Sequence, residues 1–425
     1  MDLRLCLFCL FCILLFHIST CSDDPDLNRS AVELIESRGF IAQVHTVTTE
    51  DNYQLTVHRI VNPLCSKGEP VLLQHGLLSS SVDFLINSPG GCLKDFTDYN
   101  NHHFNPYKYR SFVRQQFNTS VGNNLGFVLS SLCYDVWLSN SRGNVYSMDH
   151  LHLSSNDENF WKFSFDEMSK YDLPAFINYI LKTTGYKKLS YIGFSQGTTQ
   201  MFGLLSTNTS YSSIIKPFIA LAPVTTISYT KSALVRVASD TPMLKDYLRS
   251  KGGPFVISDS TFQFIARTFC HSKIDLVCLN IIFLITGYDV REMNQTRLQV
   301  YFKHTPAGTS NWAIAHYLQM VKSGRFCKMD FGKEGNLARY GQTFPPDYPI
   351  DMIDSQDIAL FYGLGDWLAD RKDVELLKSR LKVPLKDDYA IPVDNWNHID
   401  FIYAKDLGKY VNTRIVNILN EYWLR

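Results

Sequence analysis

Short runs of apolar residues, each bounded by polar or glycine-containing stretches, recur along most of the chain. Runs of this length are typical of strands that are buried on both faces of a parallel sheet. The pattern predicts six such strands, at residues 71–73, 134–138, 188–192, 216–222, 357–362 and 389–393.

A helical pattern lies between the second and third of these strands. Apolar side chains recur there at helical spacing, at Leu173, Phe176, Ile177, Ile180 and Leu181. We expect an amphipathic helix within residues 166–185 that ends at Gly185, with Pro174 near its start or at a kink. Strands that alternate with helices predict an α/β fold with a mostly parallel sheet flanked by helices.

The alternation stops at residues 225–350, which are rich in Phe, Ile and Leu and whose turn-forming residues are irregularly spaced. An insertion of this length between two sheet strands is interpreted as a mainly helical cap, or lid, over the strand ends. The predicted organisation is therefore a core in two parts, residues 22–224 and 351–425, with a cap domain at 225–350.

The first residues form a separate unit. Arg4 precedes an apolar run at 5–16, and small and polar residues follow it. This run is short for a bilayer span and predicts a secretory signal peptide at residues 1–21. Because Asp2 weakens the positive charge before the run, a membrane anchor is the alternative. No later segment has 18 uninterrupted apolar residues, so we expect no transmembrane segment after the signal.

Composition and charge narrow the choice of partners. The 425 residues include 41 basic and 41 acidic side chains, and this balance argues against a nucleic-acid partner. A hydrophobic content of 45% allows a large core. Secretion agrees with four N-x-S/T sequons, predicted to be glycosylated at Asn28, Asn118, Asn208 and Asn294.

Ten cysteines are present, and four of them lie within the predicted signal peptide. Cys270 and Cys278 are close enough in sequence to form a disulfide in an oxidising compartment. The remaining four are open to pairing or to burial as thiols: Cys65, Cys92, Cys133 and Cys327.

The most informative motif is G-x-S-x-G at residues 193–197, which directly follows the third predicted strand. A strand that breaks into this motif and then into a helix is the nucleophile elbow of α/β-hydrolases. The glycines make the tight turn possible, and the turn exposes the hydroxyl of Ser195 at the edge of the sheet. The alternative is a glycine-rich turn with an incidental serine.

A serine hydroxyl needs a base within hydrogen-bond reach, and the base needs a carboxylate to orient it. In α/β-hydrolases the acid and then the histidine follow the serine along the chain. Asp366 follows a late predicted strand and a turn, whereas its rivals Asp370 and Asp373 lie where a helix begins. His398 is the only histidine after the last predicted strand.

An oxyanion hole needs two backbone N–H groups directed at the substrate carbonyl. Gln196, the residue after the nucleophile, supplies one of them. The loop after the strand at 71–73 supplies the other, and we assign it to Leu77, with Leu78 as the alternative. An ordinary strand-to-loop turn is the competing interpretation of this second segment.

Several motifs together resemble the acid lipase family, which contains the gastric and lysosomal acid lipases. They are QHGLLSS at 74–80, YDVWLSNSRGN at 134–144, FWKFSFDEMSKYDLPA at 160–175, SQGTT at 195–199, ALAPV at 220–224, PAGTS at 306–310, VKSGRF at 321–326, LAD at 368–370 and NHIDF at 397–401. The resemblance covers nearly all of the chain after the signal. It implies an α/β-hydrolase with a lidded cap that hydrolyses triacylglycerols or cholesteryl esters, and it places the triad on Ser195, Asp366 and His398.

The chain departs from the family's pattern at two points beside these residues. Phe194 stands where the family usually has histidine before the nucleophile, which changes the group next to Ser195. Residues 363–367 read Gly-Leu-Gly-Asp-Trp, where the family usually has G-G-x-D. The acid is kept, but the turn that carries it is altered.

A third departure is an additional segment of about thirty residues, 92–122, rich in aromatic and basic side chains. Two interpretations compete: a surface that binds lipid interfaces, and an exposed loop without a role in activity. We favour the exposed loop, since most long loops lie exposed on the surface.

The mechanism needs no cofactor or metal. The histidine pairs at 102–103 and 150/152 lack a matching set of carboxylates or cysteines. The sequence therefore predicts a secreted or lysosomal serine lipase that acts on neutral lipid esters at a lipid–water interface. The alternatives are an esterase or acyltransferase with other ester substrates and a non-catalytic lipid-binding protein on a hydrolase fold.

Overall fold

The structure, a computed structural model, describes residues 24–92, 122–255 and 283–423. Its centre is a nine-stranded sheet with the order β1-β2-β4-β3-β6-β7-β8-β9, and β5 pairs with β2. The strands are β1 Ile41–Thr48, β2 Tyr53–Val61, β3 Pro70–Gln74, β4 Asp135–Ser139, β5 Asp149–His150, β6 Leu189–Phe194, β7 Ile215–Leu221, β8 Ile358–Tyr362 and β9 Asp387–Ala390.

Six of these strands, from β4 through β3, β6, β7 and β8 to β9, pair in parallel. The antiparallel pairs among the described residues all involve β2, which pairs with β1, β4 and β5. Every residue of β3, β6 and β8 is buried, as expected for strands with helices on both faces. Because the carboxyl ends of parallel strands meet at one edge, the loops after β3, β6 and β8 lie close together.

Helices cover both faces of the sheet, which confirms the predicted α/β class. They are α1 Ala31–Ser37, α2 Leu125–Ser131, α3 Phe165–Glu167, α4 Leu173–Thr184, α5 Gln196–Thr207, α6 Ala233–Ser239, α7 Pro242–Lys251, α8 Leu298–His304, α9 Asn311–Ser323, α10 Gly332–Tyr340, α11 Arg371–Arg380, α12 Asp400–Tyr403 and α13 Thr413–Trp423.

The helix predicted within 166–185 is present, but it is interrupted. A π-helical turn, Met168–Asp172, separates α3 from α4. Pro174 is the second residue of α4, directly after the π-helical turn, a position near a helix start where its missing N–H is tolerated. Gly185 ends the helix with φ of +76°, the left-handed conformation that favours glycine.

The apolar pattern misplaced one strand and missed others. The last strand was predicted at 389–393 but lies at Asp387–Ala390. As an edge strand it begins with two aspartates, and Arg414 binds the carboxylate of Asp387 with two hydrogen bonds of 2.6 and 2.7 Å. The strands β1 and β2 also carry many partly exposed polar residues, so they do not form the continuous apolar runs that marked the buried strands.

The described part of the chain between β7 and β8 is helical, with α6 to α10 and no strand beyond isolated bridges. This agrees with the mainly helical character expected for residues 225–350. Within residues 24–92, 122–255 and 283–423, none of the helices has the length and apolarity that crossing a bilayer requires.

Within the described residues, one disulfide, Cys65–Cys133, joins the segment after β2 to the segment before β4, with 5.6 Å between the Cα atoms. Cys327 is buried, and its sulfur accepts a hydrogen bond of 3.3 Å from Gln319. The predicted pair Cys270–Cys278 lies outside the described residues, as does nearly all of the additional segment 92–122.

Three of the four predicted glycosylation sites are described. Asn28 and Asn208 are exposed, and Asn294 is partly exposed, so the environment of each is compatible with a surface modification. Asn118 lies outside the described residues. Glycosylation stays a prediction at all four.

Candidate active site

Ser195 occupies the sharp turn between β6 and α5. Its backbone has φ of +51° and ψ of −113°, a conformation that non-glycine residues rarely adopt. The amide of Ser195 donates to the carbonyl oxygen of Leu221 at 2.9 Å, which holds the strained residue against β7. A strained serine between a strand and a helix is the geometry of a nucleophile elbow.

The two glycines of the motif are required by close approach of the backbone. A Cβ atom on Gly193 would lie 2.8 Å from the carbonyl carbon of Gly197. A Cβ atom on Gly197 would lie 2.6 Å from the carbonyl oxygen of Gln74. Real Cβ atoms do not approach backbone atoms this closely. The elbow therefore closes tightly only because residue 193 is glycine, and it packs against β3 only because residue 197 is glycine.

Asp366 follows β8, and its side chain is buried. One carboxylate oxygen, Oδ1, accepts hydrogen bonds of 2.8 Å from the amides of Leu368 and Ala369. The other, Oδ2, is 2.8 Å from Nδ1 of His398. The carboxylate is therefore fixed by its own turn and directed at the imidazole.

The altered turn before Asp366 has a structural reason. A Cβ atom on Gly363 would lie 2.2 Å from the carbonyl oxygen of Trp396, and one on Gly365 would lie 2.4 Å from that of Asn395. Glycine is thus needed at the two positions that touch the segment before His398.

His398 lies in the loop between β9 and α12. Its Nε2 atom is 2.7 Å from Oγ of Ser195, and its Nδ1 atom faces Asp366. The ring of Phe194 lies 5.3 Å from the imidazole, measured between ring centroids. The departure from the family's pattern therefore places an apolar ring against His398.

The loop that carries His398 is held by its neighbours. Asn397 Oδ1 accepts from the amides of Ile399 and Asp400, at 3.0 and 3.1 Å. In return, Asp400 Oδ2 accepts from the amide of Asn397 at 2.6 Å. Burial raises the pKa of Asp400 well above its ordinary value. Sequence reasoning did not single out Asp400, although it belongs to the motif that carries His398.

The rival carboxylates lie elsewhere. Asp370 caps α11 by accepting from the amide of Lys372 at 2.9 Å, and it pairs with Lys231. Asp373 accepts from the amides of Ser228 and Tyr229 at 3.0 and 2.9 Å. Neither carboxylate is hydrogen-bonded to His398, whose ring nitrogens face Asp366 and Ser195, and both have structural roles.

The loop after β3 lies beside the elbow. A Cβ atom on Gly76 would lie 3.3 Å from the Cβ of Ser195. Leu78 has φ of +63°, and its carbonyl oxygen accepts from the amide of Ala307 at 2.6 Å. Among the described residues, no protein group accepts a hydrogen bond from the amides of Leu77, Leu78 and Gln196, as expected for donors that face a substrate.

His75 anchors this loop. Its Nε2 atom accepts from the amide of Ser141 at 3.0 Å, and its Nδ1 atom is 2.8 Å from the carbonyl oxygen of Gly76. Burial lowers the pKa of His75 to about 4, so the ring is neutral at physiological pH and donates from Nδ1. Apart from the position of His75 directly after β3, no sequence feature predicts this role.

Asp83 is a buried carboxylate in the short helix that follows this loop. It lies 3.4 Å from the hydroxyl of Tyr403, in the helix that follows His398. Burial raises the pKa of Asp83 to about 7. The folded state therefore binds a proton at Asp83 over a pH range in which the unfolded chain has released it.

This shift predicts a pH-dependent stability difference for Asp83→Asn. Below about pH 4, the carboxyl is protonated in both states and the shift contributes nothing. Between about pH 4 and pH 7, the unfolded chain releases a proton that the folded state keeps, so the wild type loses up to about 4 kcal/mol of unfolding free energy that the amide variant keeps, and the loss levels off above pH 7. Denaturant unfolding of both proteins from pH 4 to pH 8 measures this, and a constant difference across the series would contradict it.

Among the described residues, no group of three or more His, Cys, Asp or Glu side chains is arranged so that it could hold a metal ion. His150 is used structurally, since its Nδ1 atom accepts from the amides of His152 and Leu153 at 3.0 Å. Residues 102–103 lie outside the described part.

The sheet, the elbow and the Ser195–His398–Asp366 row define an α/β-hydrolase-fold protein with a serine-type site. Two family models match the chain: a partial α/β-hydrolase lipase region over residues 31–88 and the α/β-hydrolase fold over residues 69–405. A candidate lipase of known structure from Sulfolobus solfataricus shares the fold, with a TM-score of 0.55, 14% identity, and coverage of 90% of this chain and 94% of that one.

Relatives with higher identity define the family. Gastric triacylglycerol lipase from Bos taurus is 37% identical over 94% of this chain and 93% of its own length. The human gastric enzyme is 36% identical, with coverage of 93% and 92%, and human lipase member K is 34% identical, with 94% and 92%. The chain belongs to this family of lipases, so it is a carboxylic ester hydrolase, and the resemblance inferred from its motifs is confirmed.

Proposed function

We propose that this lipase hydrolyses triacylglycerols and other neutral lipid esters through an acyl-enzyme formed on Ser195. One observation carries the proposal: a continuous row of hydrogen bonds, 2.7 Å from Ser195 to His398 and 2.8 Å from His398 to Asp366. Relatives that are named for triacylglycerol hydrolysis match nearly the whole chain, which supports the substrate class.

In the first half-reaction, Nε2 of His398 takes the proton of Ser195 as Oγ attacks the ester carbonyl carbon. Asp366 keeps the Nδ1–H tautomer and stabilises the imidazolium that forms. The amides of Gln196 and Leu77 donate to the oxyanion, with Leu78 as the alternative to Leu77. His398 then protonates the leaving alcohol oxygen, and the acyl group remains on Ser195.

In the second half-reaction, water attacks the acyl carbonyl carbon while His398 accepts one of its protons. The tetrahedral intermediate again places its oxyanion at the two amides. Collapse releases the fatty acid and returns the proton to Ser195, so the enzyme is regenerated without a cofactor.

Residues 225–350 form the cap over this site in our proposal, between core parts 22–224 and 351–425. Support comes from the hydrogen bond that the amide of Ala307 donates to the carbonyl oxygen of Leu78. This bond brings the region to the loop after β3, which carries the proposed oxyanion donor. The described part also exposes apolar side chains that suit a lipid–water interface. They are Leu234, Val237, Met243, Tyr247, Leu284 and Tyr288.

We place the enzyme in the secretory pathway, with the lysosome or the extracellular space as its destination. The signal-like segment 1–21 and the four sequons support this location. The disulfide Cys65–Cys133 also fits an oxidising compartment.

An esterase or acyltransferase with soluble substrates is the nearest alternative, and the physical state of the substrate separates it from a lipase. We expect the rate on tributyrin to rise steeply above its solubility limit, and triolein or cholesteryl oleate emulsions to be hydrolysed. Titration of released fatty acid over a pH series measures both. A rate that saturates below the solubility limit, with inert emulsions, would favour the esterase.

A non-catalytic lipid-binding protein is the remaining alternative, and the intact hydrogen-bonded row argues against it. Such a protein would bind lipid but release no fatty acid from any of these esters. It would also fail to react with a serine-directed phosphonate.

A further inference from the structure

We propose that Thr286 and Gly287 form a positioning clamp, named here the 286–287 clamp, that fixes the acid and base of the triad relative to each other. The inference rests on the proposed function of that triad. The clamp lies between β7 and β8 in sequence, far from both of the loops that it joins.

One carbonyl group joins the two loops. The carbonyl oxygen of Thr286 accepts from the amide of Trp367, next to Asp366, and from the amide of His398 itself, both at 3.2 Å. A single acceptor therefore sets the separation between the acid-bearing turn and the base-bearing loop. A shift of this carbonyl moves both at once.

Gly287 adds a steric component. Its carbonyl oxygen accepts from Nδ2 of Asn397 at 3.0 Å. A Cβ atom at this position would lie 2.2 Å from the carbonyl oxygen of Gly365 and 3.0 Å from Cβ of Asn397. The residue fills the space between the two loops so closely that only glycine fits, and its φ of +112° also favours glycine.

The clamp is itself held in place. The amide of Gly287 donates to the carbonyl oxygen of Phe283 at 3.0 Å, and the side chain of Phe283 is buried. Oγ of Ser232 donates to the carbonyl oxygen of Leu284 at 3.1 Å. Two anchors outside the triad loops therefore fix the segment that carries the clamp.

Residues 230–231 also hold the turn that carries Asp366. The hydroxyl of Thr230 donates to the carbonyl oxygen of Trp367 at 2.6 Å, and the amide of Lys231 donates to the same oxygen at 2.9 Å. The region between β7 and β8 thus grips residue 367 through both its N–H and its C=O. In addition to its proposed role as the cap, this region therefore helps to position the loops that carry the triad.

Gly287→Ala tests the clamp because the added methyl group must separate the two loops. We expect kcat/KM on a soluble short-chain ester to fall by about 10²-fold, mostly in kcat, since a displacement near 1 Å is enough for such a loss. The acid limb of the kcat/KM profile should also move to lower pH, because the protonated imidazole loses its carboxylate partner. A purely structural role would not move that limb.

Gly332→Ala is the matched control. Gly332 also has positive φ, +77°, and also lies between β7 and β8, but a Cβ atom there would meet nothing within 4 Å. This variant carries similar backbone strain, but its added methyl group does not push two loops apart. It should keep the wild-type kcat, KM and pH profile.

Thr230→Val covers the case in which Gly287→Ala does not unfold cooperatively and so cannot be interpreted. Loss of one hydroxyl should lower kcat/KM by about 3–10-fold, the factor expected for one hydrogen bond, and shift the acid limb in the same direction. Wild-type kinetics in a folded Gly287→Ala would overturn the clamp alone. If Gly287→Ala does not fold, wild-type kinetics in Thr230→Val would do the same. A wild-type enzyme without Ser195-dependent turnover would overturn the proposed function instead.

Discussion

Ser195→Ala should reduce ester hydrolysis by at least about 10⁴-fold while the protein stays folded. The substitution removes Oγ, the atom that forms the bond to the acyl carbon in the proposed mechanism, and the remaining donors could then assist only direct attack by water. Folding should survive because residue 195 already carries a Cβ atom at its strained φ of +51°.

Turnover of tributyrin and of a chromogenic short-chain ester measures this loss, with thermal unfolding as the check on folding. Ser213→Ala is the control, since Ser213 is exposed and its hydroxyl bonds only to the nearby carbonyl oxygen of Ser210. Turnover in a folded Ser195→Ala at more than a few per cent of wild type would refute the nucleophile.

Asp366→Asn should lower kcat by about 10⁴-fold with little change in KM. Two backbone amides donate to Oδ1 of Asp366, so the amide oxygen of the asparagine would take that position. The NH₂ group of the asparagine would then face Nδ1 of His398. In the wild type, the Nδ1–H group of His398 donates there to the carboxylate of Asp366. The imidazole would have to carry its proton on Nε2, and it could no longer accept the proton of Ser195.

Asp370→Asn is the matched control because Asp370 is the rival acid, buried four residues away. Asparagine is a good N-cap and keeps the bond to the amide of Lys372, so kcat should stay near wild type. Steady-state kinetics of the two variants decide between the carboxylates. A larger loss in Asp370→Asn than in Asp366→Asn would overturn the assignment.

The chain order of the site residues was accessible from the sequence because each follows a strand of the parallel sheet. Ser195 comes after β6 and Asp366 after β8, and the turn residues that flank them are glycines forced by backbone contact. Parallel topology brings these strand ends to one edge, so strand position alone predicts proximity. The structure brings Ser195, His398 and Asp366 into one hydrogen-bonded row.

Features that depend on contacts between distant segments were not accessible. Cys65 and Cys133 are 68 residues apart, and nothing in their spacing distinguishes this pair from the other combinations. Likewise, the 286–287 clamp acts through a backbone carbonyl and a missing side chain, which leave no chemical signature in the sequence. Only the packing of its segment against two other loops reveals it.

Of the two edge strands, β1 was missed and β9 was misplaced, for a different reason. Strands buried on both faces are continuous apolar runs, whereas β1 and β9 lie at the two edges of the sheet and mix polar and apolar residues. Their pairing with a neighbour defines them, and their composition does not. The strand predicted at 389–393 begins two residues earlier in the structure, because Asp387 and Asp388 belong to β9 despite their charge.

Mapping the adduct of a fluorophosphonate ester by peptide mass spectrometry tests the whole account most directly. Trapping of the reagent requires an oxygen nucleophile activated by a neighbouring base. We predict one phosphonyl group per chain, attached to residue 195, with the rate of labelling reduced in both Asp366→Asn and Gly287→Ala. No adduct on the folded protein, or an adduct on another residue, would contradict the convergence of these side chains on a single reactive hydroxyl.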